Sequence, residues 1–160
     1  MAEEAKAAGG TAPVVRPLTA DDLEAVVAID TAITGRSRRG FFERRLAAAL
    51  KAPKGFVYVG AWLGDTLRGF ALVRLLGGEF GRDGAGMLDA LGVDPAVKGA
   101  GLATAMMAAI DEVLRHKQVS ELQTQAEWTN GEFLGFLAHA GFERAPRLVL
   151  KRAVDRDLDW

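Results

Sequence analysis

Two glycines, Gly99 and Gly101, sit between a run that reads as a strand and a run that reads as a helix, and they constrain this chain more than anything else in it. Met87 to Val93 ends at Asp94-Pro95, and Pro95 has no N–H to continue a ladder. Beyond the glycines, Leu102, Met106, Ala109, Ile110, Val113 and Leu114 recur at i, i+4, i+7, i+8, i+11 and i+12, which is one apolar face of a helix. Gly99 and Gly101 permit positive φ and a close approach to the backbone. The N–H groups of Gly99, Ala100, Gly101, Leu102 and Ala103 are then expected to point out of the helix start, where they suit an anion such as a pyrophosphate. Lys98 adds positive charge, and Thr104 counts with residues 98–103 among the candidate binding residues of this loop. A loop that merely needs glycine is the plain alternative. A dinucleotide fingerprint fits poorly, because position 104 is Thr where a third glycine is wanted, and the P-loop pattern is absent.

The rest of the chain supplies alternating structure around that segment. Val14-Val15 suggests a short first strand, and Asp21 to Ile33 a helix with acids in its first turn, ended by Thr34-Gly35. Phe41, Phe42, Leu46 and Leu50 predict a second helix, stopped before Pro53. Gly55–Trp62 and Leu67–Leu76 read as a hairpin around Leu63–Thr66, followed by a glycine-rich loop over 77–86. After the long helix come a strand at Glu121–Glu127, a short helix through Phe133, Phe136 and Leu137 closed by Gly141, and a last strand at Arg147–Lys151. The predicted order is β-α-α-β-β-β-α-β-α-β, an α/β (α+β) chain with a mixed sheet and a right-handed crossover. We expect a disordered tail over 1–12, a single domain over 13–153 and a loose end over 154–160.

Composition narrows the function. With 160 residues, a net charge of −1 and no cysteine, the chain lacks the basic excess of a general nucleic-acid or membrane-surface binder, and it offers no thiolate nucleophile or disulfide. His116 and His139 have no second ligand at metal spacing, so no metal is expected. Neither Ser37 nor Ser120 sits in a nucleophile elbow. Nothing resembles a secretion signal or a membrane span, so the expected location is cytoplasmic.

Val93-Asp94-Pro95, then Lys98-Gly99-Ala100-Gly101-Leu102-Ala103 opening a helix, then Asn130 and Gly141-Phe142 downstream, together resemble the GCN5-related N-acetyltransferase (GNAT) family. Lys98 stands where that family usually has Gln or Arg. The resemblance covers about residues 13 to 152 and is strongest from 86 to 142. It implies the GNAT acyl-CoA N-acyltransferase fold, acetyl-CoA as co-substrate, and direct attack of a small-molecule or peptide amine on the thioester. It also implies that backbone at Leu91 and Val93 meets the pantetheine arm where two strands splay. An N–H near Val93 would steady the oxyanion. Asn130 would either bond the arm or cap the following helix.

Asp89 is the first choice as general base, because four residues before Val93 it is expected to share a strand face with Leu91 and Val93. Glu127 is the second choice, and Glu79 ranks below it. The family's tyrosine acid falls at Leu137 here, so the resemblance names no general acid. That departure keeps a non-catalytic acyl-CoA-binding module as the rival reading. On the acceptor side, Arg36, Arg38 and Arg39, with Arg44 and Arg45, suggest an acidic acceptor. A solvated helix face, or pairing with Asp21, Asp22 and Glu24, would explain them equally. Acceptor identity and acyl-chain preference are not legible, and homodimer formation stays open.

Overall fold

A computed structural model of the chain describes residues 12–77 and 84–155, in two compact units, Met1–Gln125 and Ala126–Trp160. Glu79 and nearly all of both expected tails lie outside the described residues. In the first unit, strand β1 (Val14–Pro17) leads through a 3-10 turn to helix α1 (Leu23–Thr34). Thr19 and Asp22 form a reciprocal capping box there, with the Thr19 N–H donating to Asp22 Oδ2 at 2.8 Å. Gly35 ends α1 at φ +77°, its N–H bonding the Thr31 carbonyl at 2.8 Å. Helix α2 (Arg39–Lys51) follows, and Pro53 opens the turn into strand β2.

Strands β2 (Phe56–Leu63), β3 (Thr66–Leu76) and β4 (Ala85–Val93) form an antiparallel meander. β1 adds antiparallel to β2, and β5 (Leu122–Thr124) adds parallel to β4, giving the order β1-β2-β3-β4-β5. A parallel neighbour needs a long crossover, and helix α3 (Leu102–His116) provides it. The mixed sheet expected from the sequence is therefore present. The second unit holds helix α4 (Gly131–His139). No helix among the described residues is long and apolar enough to cross a membrane.

Alternation along β3 divides the core. Phe70 and Leu72 face α1 and α2, where they pack with Val26, Ile29, Phe42, Leu46, Tyr58 and Trp62. The Phe42 and Phe70 rings meet edge to face at 5.3 Å. On the opposite face a Cβ at Gly69 would stand 3.0 Å from Met106 of α3. Gly92 is where β4 lets Phe70 in: a Cβ there would lie 2.6 Å from the ring, which is 1% exposed and has nowhere to go. Gly92→Ala is therefore expected to cost about 1–3 kcal/mol by overpacking, read as a lower denaturant midpoint at unchanged slope.

Two expectations change. Arg147–Lys151 is not a strand; Leu148, Val149 and Leu150 are exposed at 86%, 75% and 87%. The apolar run carries strand propensity, but a strand exists only where a neighbour pairs its backbone groups. The strand expected over 121–127 shortens to Leu122–Thr124. It pairs with Gly86–Leu88 and stops, and the Thr124 hydroxyl donates to the Leu88 carbonyl at 3.0 Å where the ladder ends.

Candidate functional site

β4 runs five residues past its last pairing with β5. From Ala90 to Val93 it is laddered to β3 on one edge, and among the described residues no strand of the first unit pairs with its other edge. At its end, Asp94 organises the turn that follows. Asp94 Oδ1 accepts from the Ala96 N–H at 3.0 Å, Oδ2 accepts from Arg68 at 2.7 Å, and the Asp94 N–H bonds the Arg68 carbonyl at 2.7 Å. A bulge places Arg68 there: Ala61 opposes Gly69 while Trp62 opposes Leu67, so Arg68 is skipped in the register.

The chain then passes through a 3-10 turn, Pro95–Val97, into the glycine loop. Gly99 and Gly101 adopt φ +84° and +76°, and among the described residues no atom beyond the chain neighbours lies within 4 Å of a Cβ built at either. Crowding within the protein is thus not what demands glycine there; the left-handed backbone and the open space above it are. Gly101 caps α3, and the first amides of a helix have no carbonyl within it to bond. Leu102 is buried at 2% exposure and Ala103 is half-buried, while Gly101 and Thr104 on either side of them are exposed at this helix start. Lys98, Gly99, Ala100, Gly101 and Thr104 are all exposed, so residues 98–104 form one surface stretch around the buried Leu102.

Ala96 first, then Arg68, holds the Asp94 carboxyl below its usual range. The contribution is complete above the ordinary carboxylate value of about 4, so it is present at neutral pH, and it is lost only as pH falls through the lowered folded value. Asp94→Ala removes the cap at a cost of about 1 kcal/mol and loosens the loop. We expect a small drop in thermal midpoint at pH 7, read by thermal scans of wild type and variant side by side.

Asp89 is where the structure departs most from expectation. Leu72 opposes Ala90 and Val73 opposes Leu88, so Asp89 is the extra residue of a β-bulge. Without the bulge Asp89 would share the face of Leu91 and Val93. With it, the side chain turns to the α1–α2 face, where Arg74 grips both oxygens, Nε to Oδ2 at 3.1 Å and Nη2 to Oδ1 at 3.3 Å. Arg45 of α2 approaches Oδ2 at 3.5 Å. The Asp89 side chain is 10% exposed, while Arg45 and Arg74 are 32% and 38% exposed.

The arginine cluster is divided between tasks. Arg38 makes a two-pronged pair with Asp30, Nε to Oδ2 at 2.9 Å, and Asp30 is almost wholly buried. Arg39 pairs with Glu24 and Glu43 on the surface. Arg36 is exposed. Arg45, which the sequence did not distinguish from its neighbours, is the member that reaches β4. Arg74 was also missed, although a charge after Leu72 on an apolar strand was a usable signal.

In the second unit, Asn130 caps α4, its side-chain oxygen accepting from the Phe133 N–H at 3.2 Å. Glu127 is exposed in the turn before that helix, and Leu137 is buried on it.

The model of the acetyltransferase (GNAT) family matches residues 23–142, three-quarters of the chain. This chain belongs to that family. No curated protein sequence matches it. Among solved structures it is similar to the ribosomal-protein-alanine N-acetyltransferase of Brucella melitensis biovar Abortus 2308, with a TM-score of 0.72 and 16% identity over 89% of this chain and 99% of that one. It is similar to the aminoglycoside N-acetyltransferase AAC(6')-Iy in complex with CoA, with a TM-score of 0.76 and 17% identity over 91% and 97% of the two chains. It is also similar to the aminoglycoside 6'-N-acetyltransferase AAC(6')-IG of Acinetobacter haemolyticus, with a TM-score of 0.73 and 15% identity over 89% and 99%. At these identities the likeness shows the GNAT fold.

Proposed function

We propose that this GNAT protein is an N-acetyltransferase that moves an acetyl group from acetyl-CoA directly to the amine of a small molecule or peptide in the cytoplasm. The observation that carries the reading is the left-handed Gly99–Gly101 loop, with free space over its backbone at the start of α3. The donor set fits an acyl-CoA. Backbone N–H groups of Gly99 to Thr104 would hold the pyrophosphate, with Lys98 adding charge. The unpaired edge of β4 at Leu91 and Val93 would meet the pantetheine arm, and Asn130 remains a candidate contact beyond its capping bond. Acetyl-CoA supplies the activated acetyl thioester; the protein's task is to orient it and to manage protons.

Asp89 is our proposed base. Two carboxylate oxygens accept about four hydrogen bonds, and the three arginine contacts leave room for an amine. Glu127 is the alternative. The similar aminoglycoside N-acetyltransferases, one of them in complex with CoA, support the reading at the level of chemistry, not of acceptor.

Leu137 favours a second reading, an acyl-CoA-binding module without turnover, because its side chain has no proton to give a departing thiolate. Isothermal titration of the full chain with acetyl-CoA tests what the two readings share. One acetyl-CoA per chain is expected, displaced by CoA. No heat at millimolar ligand, with a folded protein, would end both.

A further inference from the structure

We propose that the amine acceptor of this protein carries a carboxylate close to its amine, as an amino acid does, and that Arg45, Arg74 and Tyr58 bind that carboxylate beside Asp89. The inference rests on the acetyltransferase reading and names its substrate class.

Four polar side chains converge on the α1–α2 face of the first unit. Tyr58 opposes Leu72 across β2 and β3, and Phe56 opposes Arg74, so Tyr58 and Arg74 are diagonal neighbours on one face. The bulge delivers Asp89 to the same place, and Arg45 descends from α2, its guanidinium lying 5.1 Å from the Phe41 ring centre. Burial pushes the Tyr58 hydroxyl's pKa up, and the charges of Arg45, Asp89 and Arg74 act on it more weakly.

The cluster is short of acceptors. Two guanidiniums face one carboxylate, a surplus of one positive charge. Each guanidinium carries five N–H donors in a planar fork, and Asp89 has two oxygens to offer them. Tyr58 is 6% exposed, and its hydroxyl is buried with no protein partner among the described residues. A buried hydroxyl without a partner loses its hydrogen bonds to water for nothing in return. A monoanionic carboxylate meets each need. It balances the extra charge, accepts from the forks, and accepts from Tyr58.

The Arg45 and Arg74 side chains are about one-third exposed, so a ligand meets them from solvent, and it meets the buried Tyr58 hydroxyl only as neighbouring side chains part around the carboxylate. The Asp89 carboxylate beside them suits the ammonium or amine of the same molecule. The pattern Arg–Asp–Arg thus complements a zwitterion. A plain amine leaves the positive surplus and the hydroxyl unanswered.

The test compares amino acids and short peptides with their C-terminal amides, using the full chain and acetyl-CoA. The acids are expected to be used about 10–100-fold better in kcat/KM, the worth of one charge-assisted carboxylate clamp. Arg45→Gln, a change on a partly exposed helix face, should shrink that acid-to-amide ratio at least tenfold, with a normal thermal midpoint as its folding control. Tyr58→Phe should raise KM for the acids several-fold while leaving stability unchanged or improved. Should no acceptor turn over, calorimetry of the same pairs on the protein–CoA complex reads the same preference. Acids and amides behaving alike in the wild type would overturn the inference while leaving the acetyltransferase reading intact. So would a ratio unmoved by Arg45→Gln or acid binding unmoved by Tyr58→Phe.

Discussion

Gly101→Glu is expected to abolish the stabilisation of this protein by acetyl-CoA. Wild type at about 100 times its dissociation constant gains about 2.7 kcal/mol, because only the folded state binds. The variant should show no dose-dependent rise in thermal midpoint. Gly101 sits at φ +76° with open space around it, so the protein itself would tolerate the bulk. The left-handed backbone costs a glutamate about 1–2 kcal/mol, which lowers the baseline midpoint but leaves a folded chain. What the variant changes at the ligand is larger: it places a carboxylate where the helix start would receive a pyrophosphate. Equal shifts for variant and wild type would mean that the loop does not hold the phosphates.

Asp89→Asn is expected to lower kcat by about 10²–10⁴, the usual worth of a positioned base, and to leave acetyl-CoA affinity within about twofold. The loss should be greatest below the acceptor amine's pKa, where a proton must be removed before attack. Part of the change is structural. Asn keeps the shape but gives Arg74 and Arg45 no charge to pair with. Both arginines are partly exposed, so water screens the loss and it should cost about 1 kcal/mol or less. Thermal midpoint and kinetics measured on one preparation separate the two effects. An unchanged pH–rate profile would remove Asp89 as base and turn attention to Glu127.

The parts legible in the sequence are those with local causes. The Gly99–Gly101 loop and α3 follow from two glycines and an apolar stripe, and the β2–β3 hairpin from Gly64-Asp65 between two strand-like runs. The parts that were not legible depend on distant partners. Nothing in Leu148-Val149-Leu150 says whether a neighbouring strand is there to pair with it, and in the structure none does. The bulge at Asp89 is a matter of register between β3 and β4, invisible in a single strand's alternation. Without the bulge, period-2 reasoning set Asp89 beside Leu91 and Val93. With it, Asp89 meets Arg74 and Arg45, far away in sequence.

The arginine-rich stretch shows the same limit. Its charge was plain, but Arg38 is committed to the buried Asp30 and Arg39 to Glu24 and Glu43. Pairing with Glu24 is one of the explanations the sequence offers; the reach of Arg45 to β4 depends on the fold. The candidate site therefore combines a glycine loop read from sequence with a polar cluster that only the fold assembles.

The most direct measurement is of the transferred group itself. The full chain is incubated with acetyl-CoA bearing a labelled acetyl carbonyl and a panel of amines, amino acids and peptides, and the products are followed by mass spectrometry together with free CoA. The account predicts a labelled N-acetyl product from at least one carboxylate-bearing amine, formed mole for mole with CoA and absent with Gly101→Glu. Tight, saturable acetyl-CoA binding with no labelled amine from any acceptor would contradict it and leave an acyl-CoA-binding protein in its place.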